Sequence, residues 1–222
     1  MTPAGDKKKG LPEELAAIRE AYDRWSAQYD EQENATRDLD EQLLPQLAPP
    51  LAGRVVVEAG CGTGKNSRWL APRCARLIGL DFSAGMLRLA RRRLPDRHVY
   101  YLQADLTAPW PLAAASADVV LFNLVLEHVP VLAPVFEQAA RVLRPGGRLY
   151  VSEYHPARLA YGRGATIAGE GGVVFGSYLN TEADYLAALA AAGFELERFA
   201  GWGEEPGRPP RLLTLHASLP GV

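Results

Sequence analysis

The chain is poor in cysteine: Cys61 and Cys74 are the only two in 222 residues. That excludes a disulfide-built fold of the secreted kind, and both are read as free thiols in a reducing cytoplasm. Long apolar runs are missing as well. No stretch reaches the length needed to cross a bilayer, and Lys7-Lys8-Lys9 is followed by no apolar segment of a signal peptide. There is no excess of positive charge either. Lys plus Arg number 24 against 26 Asp plus Glu, a net charge of −2, which gives no electrostatic basis for holding nucleic acid. The four histidines and two cysteines form no group at metal-ligand spacing, so no metal is expected. Internal repeats and low-complexity segments are absent. Arg88, Arg91, Arg92, Arg93 and Arg97 are concentrated in one region, and a charged solvent face accounts for them.

What remains is an ordinary globular composition, 48% hydrophobic and 23% charged, long enough for one sizeable α/β domain. Its organising stretch runs from Val55 to Gly64. Val55-Val56-Val57 is β-branched and apolar, as a buried parallel strand requires. Gly60, Gly62 and Gly64 follow at once. A glycine turn between strand and helix lets backbone N–H groups approach an anionic ligand. The dinucleotide pattern G-x-G-x-x-G would put a third glycine where Lys65 stands. The spacing here is G-x-G-x-G, with Glu58 two residues ahead of it.

Around this stretch the elements alternate. Leu15, Ile18, Tyr22, Trp25 and Tyr29 recur at three- and four-residue steps on an amphipathic helix opened by Pro12. A second helix over 36–48 carries Leu39, Leu43, Leu44 and Leu47 and ends at Pro49-Pro50. A helix over 66–73 leads to the strand Arg76–Asp81. Asp81 lies about 20 residues beyond the first strand, where a Rossmann-type fold places a carboxylate on ribose hydroxyls. An acid there disfavours NADP. Ser83 is the N-cap of a helix with Met86 and Leu87 turned inward. Strands are expected over 98–103 and 118–122, a helix over 132–143, a Pro-Gly turn at Arg144–Gly147, and a fifth strand to Tyr154. Trp110, between two prolines, reads as a surface clamp. Thr181-Glu182-Ala183-Asp184 is a capping-box pattern opening a helix to Ala192, and strands over 194–199 and 211–218 close the chain as a hairpin.

Glu58 with its three glycines, Asp81, Asp105, Asn123 and the Arg-Pro-Gly-Gly turn, in this order, resemble the class I S-adenosylmethionine (SAM) dependent methyltransferases. The Tyr/Trp helix is similar to that of the small-metabolite, ubiquinone/menaquinone-biosynthesis-like branch. The resemblance implies a Rossmann-like, seven-stranded, mostly parallel sheet with an antiparallel last strand and helices on both faces. It implies a single domain over 1–222: lid helices at 12–48, a SAM-binding core at 54–155, a substrate-side insertion at 156–181 bearing Tyr161, Phe175 and Tyr178, and a C-terminal helix and hairpin at 182–222. It implies SAM as cofactor and a small-molecule methyl acceptor, in a cytoplasmic monomer or homodimer without nucleic-acid partner or membrane span. The DNA and amide methylases carry an Asn/Asp-Pro-Pro-Tyr type motif where this chain has Asn123-Leu124-Val125-Leu126.

Carried over residue by residue, the resemblance implies that Glu58, Gly60 and Gly62 meet the amino-acid end of the cofactor, Asp81 the ribose, Asp105 the adenine amino group, and Asn123 the strand-end contact. Phe82, Met86 and Leu106 are neighbours in the same cofactor site. Tyr22 and Tyr29 either close over the methionine end or simply pack. His155, at the end of the fifth strand, is the first candidate for a substrate-pocket general base, with His128 second and Glu153 and Tyr154 behind them. Two other readings stay open on the residues alone: a nicotinamide-dependent oxidoreductase, which Lys65 and the closing hairpin disfavour, and a non-catalytic SAM-binding partner subunit.

Overall fold

A computed structural model describes residues 11–161 and 177–221. The Tyr161 side chain, Phe175 and Lys7-Lys8-Lys9 lie outside the described residues. The elements run α1 (Leu11–Trp25), α2 (Ala35–Leu47), β1 (Val55–Ala59), α3 (Ser67–Leu70), β2 (Arg76–Asp81), α4 (Ala84–Arg93), β3 (Val99–Gln103), β4 (Ala117–Asn123), α5 (Leu132–Val142), β5 (Leu143–Tyr154), α6 (Pro156–Tyr161), α7 (Glu182–Ala191), β6 (Glu195–Trp202) and β7 (Leu212–Ser218). The strands form one seven-stranded sheet in the order β3-β2-β1-β4-β5-β7-β6. β1 to β5 pair in parallel, while β7 runs antiparallel to both β5 and β6. The order reverses between β1 and β4, the switch point at which open α/β sheets bind ligands.

The core follows from strand alternation. Val57, Ala59, Val120 and Phe122 face one layer, closed by Val135, Phe136 and Ala139 of α5 and Tyr185 and Leu189 of α7. Val56, Leu77, Val119 and Leu121 face the other, closed by Leu43, Leu44 and Leu47 of α2 and Leu70 of α3. Trp110 belongs to the first layer. It is 3% exposed, its ring packs on Phe122 and its indole N–H donates to the Leu106 carbonyl, so the surface-clamp expectation is corrected: the apolar ring is buried and its one polar atom is satisfied. The Asn34 side chain accepts from Thr36 and Arg37 N–H to start α2. Ser83 caps α4 through the Met86 N–H, and Thr181 and Asp184 complete the capping box of α7.

Three local expectations shift. α1 ends at Trp25, so Tyr29 sits in the turn that follows rather than on the helix. The helix expected over 66–73 is a single α-turn and then a 3₁₀ turn at Ala71–Arg73, where Pro72 can donate no backbone hydrogen bond. Arg144–Gly147 does not separate a helix from a strand but loops out within β5: Leu143 pairs with Ala117 and Arg148 with Val119, the positive φ of Gly146 (73°) carrying the reversal. Among the described residues no helix is long and apolar enough to cross a membrane.

Candidate active site

The glycine turn is held to the neighbouring strand from both sides. Gly60 and Cys61 N–H groups donate to the Leu80 carbonyl at 2.7 and 3.0 Å, and Gly62 N–H donates to Asp81 Oδ2 at 2.8 Å. Gly60 (φ 80°) admits no side chain, since a Cβ there would lie 2.4 Å from Val125 Cγ2. At Gly62 (φ 52°) nothing lies within 4 Å of that position, so the turn is open there. Asp81 Oδ1 accepts from Ser83 N–H at 2.9 Å. Both carboxylate oxygens are thus oriented by backbone donors, with lone pairs to spare for hydroxyl donors. Burial nevertheless pushes Asp81 up to about 6, the two N–H bonds opposing it.

Asp81 and the turn open onto a cleft of about 1010 Å³, its mouth included. The structure brings Tyr22, Tyr29, Glu58, Gly60, Gly62, Asp81, Phe82, Met86, Asp105, Leu106, Asn123 and His128 together on its wall. Glu58 is 3% exposed and accepts from the Ser67 hydroxyl, and burial raises it to about 8. Asp105 Oδ1 accepts from the Thr107 N–H and hydroxyl at 2.8 and 2.7 Å, which fixes the loop after β3.

The aromatic lid is tied to the far wall. The Tyr22 hydroxyl and His128 Nε2 share a 2.6 Å hydrogen bond, and the two rings meet edge-on with centroids 5.4 Å apart. Burial lowers the His128 pKa and raises that of Tyr22, so both are neutral near pH 7. Tyr22 also packs against Phe82 and Tyr29, and the Arg37 guanidinium lies 4.3 Å from the centre of the Tyr29 ring.

His155 is not on this wall. The sequence Tyr-His-Pro makes it the residue before α6, and its ring turns back so that Nδ1 accepts the Ala157 N–H at 3.2 Å. Nε2 is 3.6 Å from Glu182. Strand-end position thus leaves His155 off the wall of this cleft, with a local helix-start bond on Nδ1. Glu153 is wholly buried, with Oε1 accepting Val125 and Leu126 N–H at 2.9 Å each. It braces the segment carrying His128, in which Leu124 holds a positive φ of 53°. Tyr154 does not line the cleft.

Three acids that the sequence reading passed over matter here. Asp23 Oδ1 accepts from the Ser83 hydroxyl and Gly85 N–H at 2.6 and 2.7 Å, fastening α1 to the start of α4. Asp30 takes the Thr63 hydroxyl at 2.9 Å and the Arg93 guanidinium, fastening the lid turn to the glycine loop. Asp40 lines the cleft from α2. Its signal was legible: Asp40, Leu43, Leu44 and Leu47 are the buried face of that helix, and a charge on an apolar stripe calls for a partner.

The donors and acceptors present fit SAM. An oriented carboxylate suits a vicinal diol, Phe82, Met86 and Leu106 suit a flat base, and the acids lining the cleft (Asp40, Glu58, Asp81 and Asp105, with Arg37 and Lys65) suit a ligand carrying positive charge and one carboxylate. Comparison with known proteins agrees. A family model described as "Methyltransferase domain" matches residues 57–151. An uncharacterized methyltransferase of Emericella nidulans is 33% identical over 216 residues, covering 80% of this chain and 75% of its own. A malonyl-[acyl-carrier protein] O-methyltransferase of Methylovorus is 34% identical over 189 residues, and the match covers 81% of this chain and 63% of that protein. The crystal structure of a SAM-dependent methyltransferase from Mesorhizobium loti superposes with a TM-score of 0.70 at 26% identity, over 80% of this chain and 96% of that one. With the glycine turn, the ribose-side acid and the reversed sheet order in one cleft, the chain belongs to the class I SAM-dependent methyltransferases.

Proposed function

We propose that this methyltransferase acts on a small organic acceptor, with the lid tyrosines and His128 around the reacting end of the cleft. The observation that carries the reading is the 2.6 Å Tyr22–His128 hydrogen bond on the same wall as Asp81, Asp105 and Asn123. Glu58, Gly60 and Gly62 would hold the amino-acid end of the cofactor, Asp81 the ribose, Asp105 the adenine amino group, and Phe82, Met86 and Leu106 the base. When bound, SAM supplies a sulfonium-activated methyl group. The chain's own residues then have two tasks. They align the acceptor and exclude water, which is worth up to about 7–11 kcal/mol of barrier when two reactants are oriented. Where the acceptor must lose a proton, the Tyr22 hydroxyl takes it while passing its own proton across the 2.6 Å bond to Nε2 of the neutral His128, whose Nδ1 is buried away from the cleft.

One relative is named a malonyl-[acyl-carrier protein] O-methyltransferase and another a trans-aconitate 2-methyltransferase, which supports a small organic acceptor group. The Tyr/Trp helix supports the small-metabolite branch. The free thiols Cys61 and Cys74 support a cytoplasmic setting, and the net charge of −2 supports a partner other than nucleic acid. A monomer or homodimer of single-domain chains is the assembly proposed. The nicotinamide alternative gives way to the family membership.

Calorimetric titration of S-adenosylhomocysteine against wild type and Asp81→Ala tests the cofactor site. We expect micromolar binding, weakened about 10- to 100-fold by the substitution, the scale of a lost charge-assisted hydrogen-bond pair. Equal affinity in both proteins would remove Asp81 from the ribose role. An acceptor screen with labelled SAM then identifies the substrate.

A further inference from the structure

Asp40 is a charge in the wrong company. It is 3% exposed on the apolar face of α2, and it accepts from two neutral amides, Asn123 Nδ2 at 2.8 Å to Oδ1 and Asn66 Nδ2 at 3.2 Å to Oδ2; burial raises its pKa, with the nearby Ser152 hydroxyl, these amides and the more distant Lys65 opposing. No cation lies within ion-pair distance of it among the described residues: Lys65 acts on it from further off and pairs with Glu41 at 2.8 Å. A buried carboxylate without a counter-ion is costly, and removing it to an apolar residue is often stabilising. Beside it stands a second unmet group. Because Asn123 gives its amide N–H to Asp40, its Oδ1 is turned elsewhere, and that oxygen is buried with no donor among the described residues.

Asp40, Asn66 and Asn123 all line the cleft. Together they offer a carboxylate and an amide oxygen, both acceptors, to a ligand that must be positive and must carry several N–H donors. A sulfonium has no N–H, a carboxylate is repelled, and an ammonium meets both needs. We propose that Asp40 and the Asn123 side-chain oxygen receive the α-ammonium group of the cofactor's amino-acid tail, which extends the cofactor reading above and rests on it. The lid helix α2 thereby becomes part of the cofactor site, and the ligand supplies the counter-ion that the chain omits. Glu58, the acid that the glycine motif assigns to this end, has one oxygen bound by Ser67, and burial raises both acids; the unmet Asn123 oxygen lies beside Asp40.

The test compares two ligands that differ in the tail. S-adenosylhomocysteine carries the ammonium, whereas 5′-methylthioadenosine keeps the nucleoside and thioether and lacks the amino acid. Both are titrated calorimetrically into wild type, Asp40→Asn and Asn123→Ala. Asp40→Asn should bind S-adenosylhomocysteine roughly tenfold or more weakly, the worth of a hydrogen bond to a charged group, and methylthioadenosine as well as wild type does, which also reports an intact fold. Asn123→Ala carries the same test if Asp40→Asn does not fold, with a smaller loss confined to S-adenosylhomocysteine. Unchanged S-adenosylhomocysteine affinity, or equal losses for both ligands, would overturn the assignment. Failure of wild type to bind either ligand would instead overturn the cofactor reading beneath it.

Discussion

His128 and His155 show how much one residue's direction depends on its immediate neighbours. Both follow strand ends on the ligand side of the sheet, yet one shares a hydrogen bond with the lid and the other caps a short helix. If His128 takes the acceptor proton by way of Tyr22, His128→Gln should lower turnover by about 10²–10⁴-fold while leaving S-adenosylhomocysteine affinity near that of wild type. Its depressed pKa keeps the base form present below pH 6.5, so wild-type activity should persist into mildly acidic buffer. A loss of threefold or less in labelled-methyl transfer (about the noise of such a comparison on the scale of a proton-transfer catalyst) would reduce His128 to a packing partner of Tyr22.

At the scale of elements, the lid is attached by polar contacts rather than by a large apolar face. α1 contributes Ile18 and Ala21 to a small cluster with Tyr22, Trp25 and Phe82, and Asp23 reaches across to Ser83 and Gly85 at the start of α4. That acid acts as an N-cap supplied by another helix, and it meets the positive end of the α4 dipole. Asp23→Ala should therefore cost about 1–2 kcal/mol in a urea melt and speed tryptic cleavage near Arg24, because α1 loses its fixed point. Cleavage at the wild-type rate would show that the aromatic contacts alone hold the lid. Periodicity revealed α1 and α2 as helices, because 3.6-residue spacing is written locally. It did not reveal where they attach, because Asp23 and Asp30 find their partners 60 and 33 residues away along the chain, at the start of α4 and in the glycine loop respectively.

For the whole molecule, the buried acids set the pH dependence of stability. Glu58 and Glu153 are both raised by burial to about 8 and Asp81 to about 6. A carboxyl whose folded pKa is raised binds more protons folded than unfolded, so stability is greatest below the unfolded pKa near 4 and falls as pH rises through the folded value. The apoprotein should thus melt at a lower temperature at pH 9 than at pH 6 by differential scanning calorimetry, and Glu153→Gln should flatten that slope. Saturating S-adenosylhomocysteine should raise the melting temperature at both pH values, equivalent to about 2.7 kcal/mol at a hundred times its dissociation constant. A melting temperature that rises between pH 6 and pH 9 would mean that these acids are ionised and paired in solution.

The seven-stranded sheet with its antiparallel close was implied by the family resemblance, whereas the strand–glycine turn–helix, the acid closing β2, the acid just after β3 and the caps of α4 and α7 were legible in the residues directly. These depend on contiguous residues, on backbone sterics and on hydrophobic period, so short windows suffice to read them. Tertiary contacts alone show that His128 lines the cleft, that Trp110 is core, that Glu153 braces the loop after β4, and that Asp40 is buried beside Asn123 without an ion-pair partner among the described residues. Each of these is a matter of side-chain direction and long-range partnership. A polar side chain's direction is set by whichever donor or acceptor the fold brings within about 3 Å, and residues as far apart in sequence as Asp40 and Asn123 meet only when the sheet and its two layers of helices close.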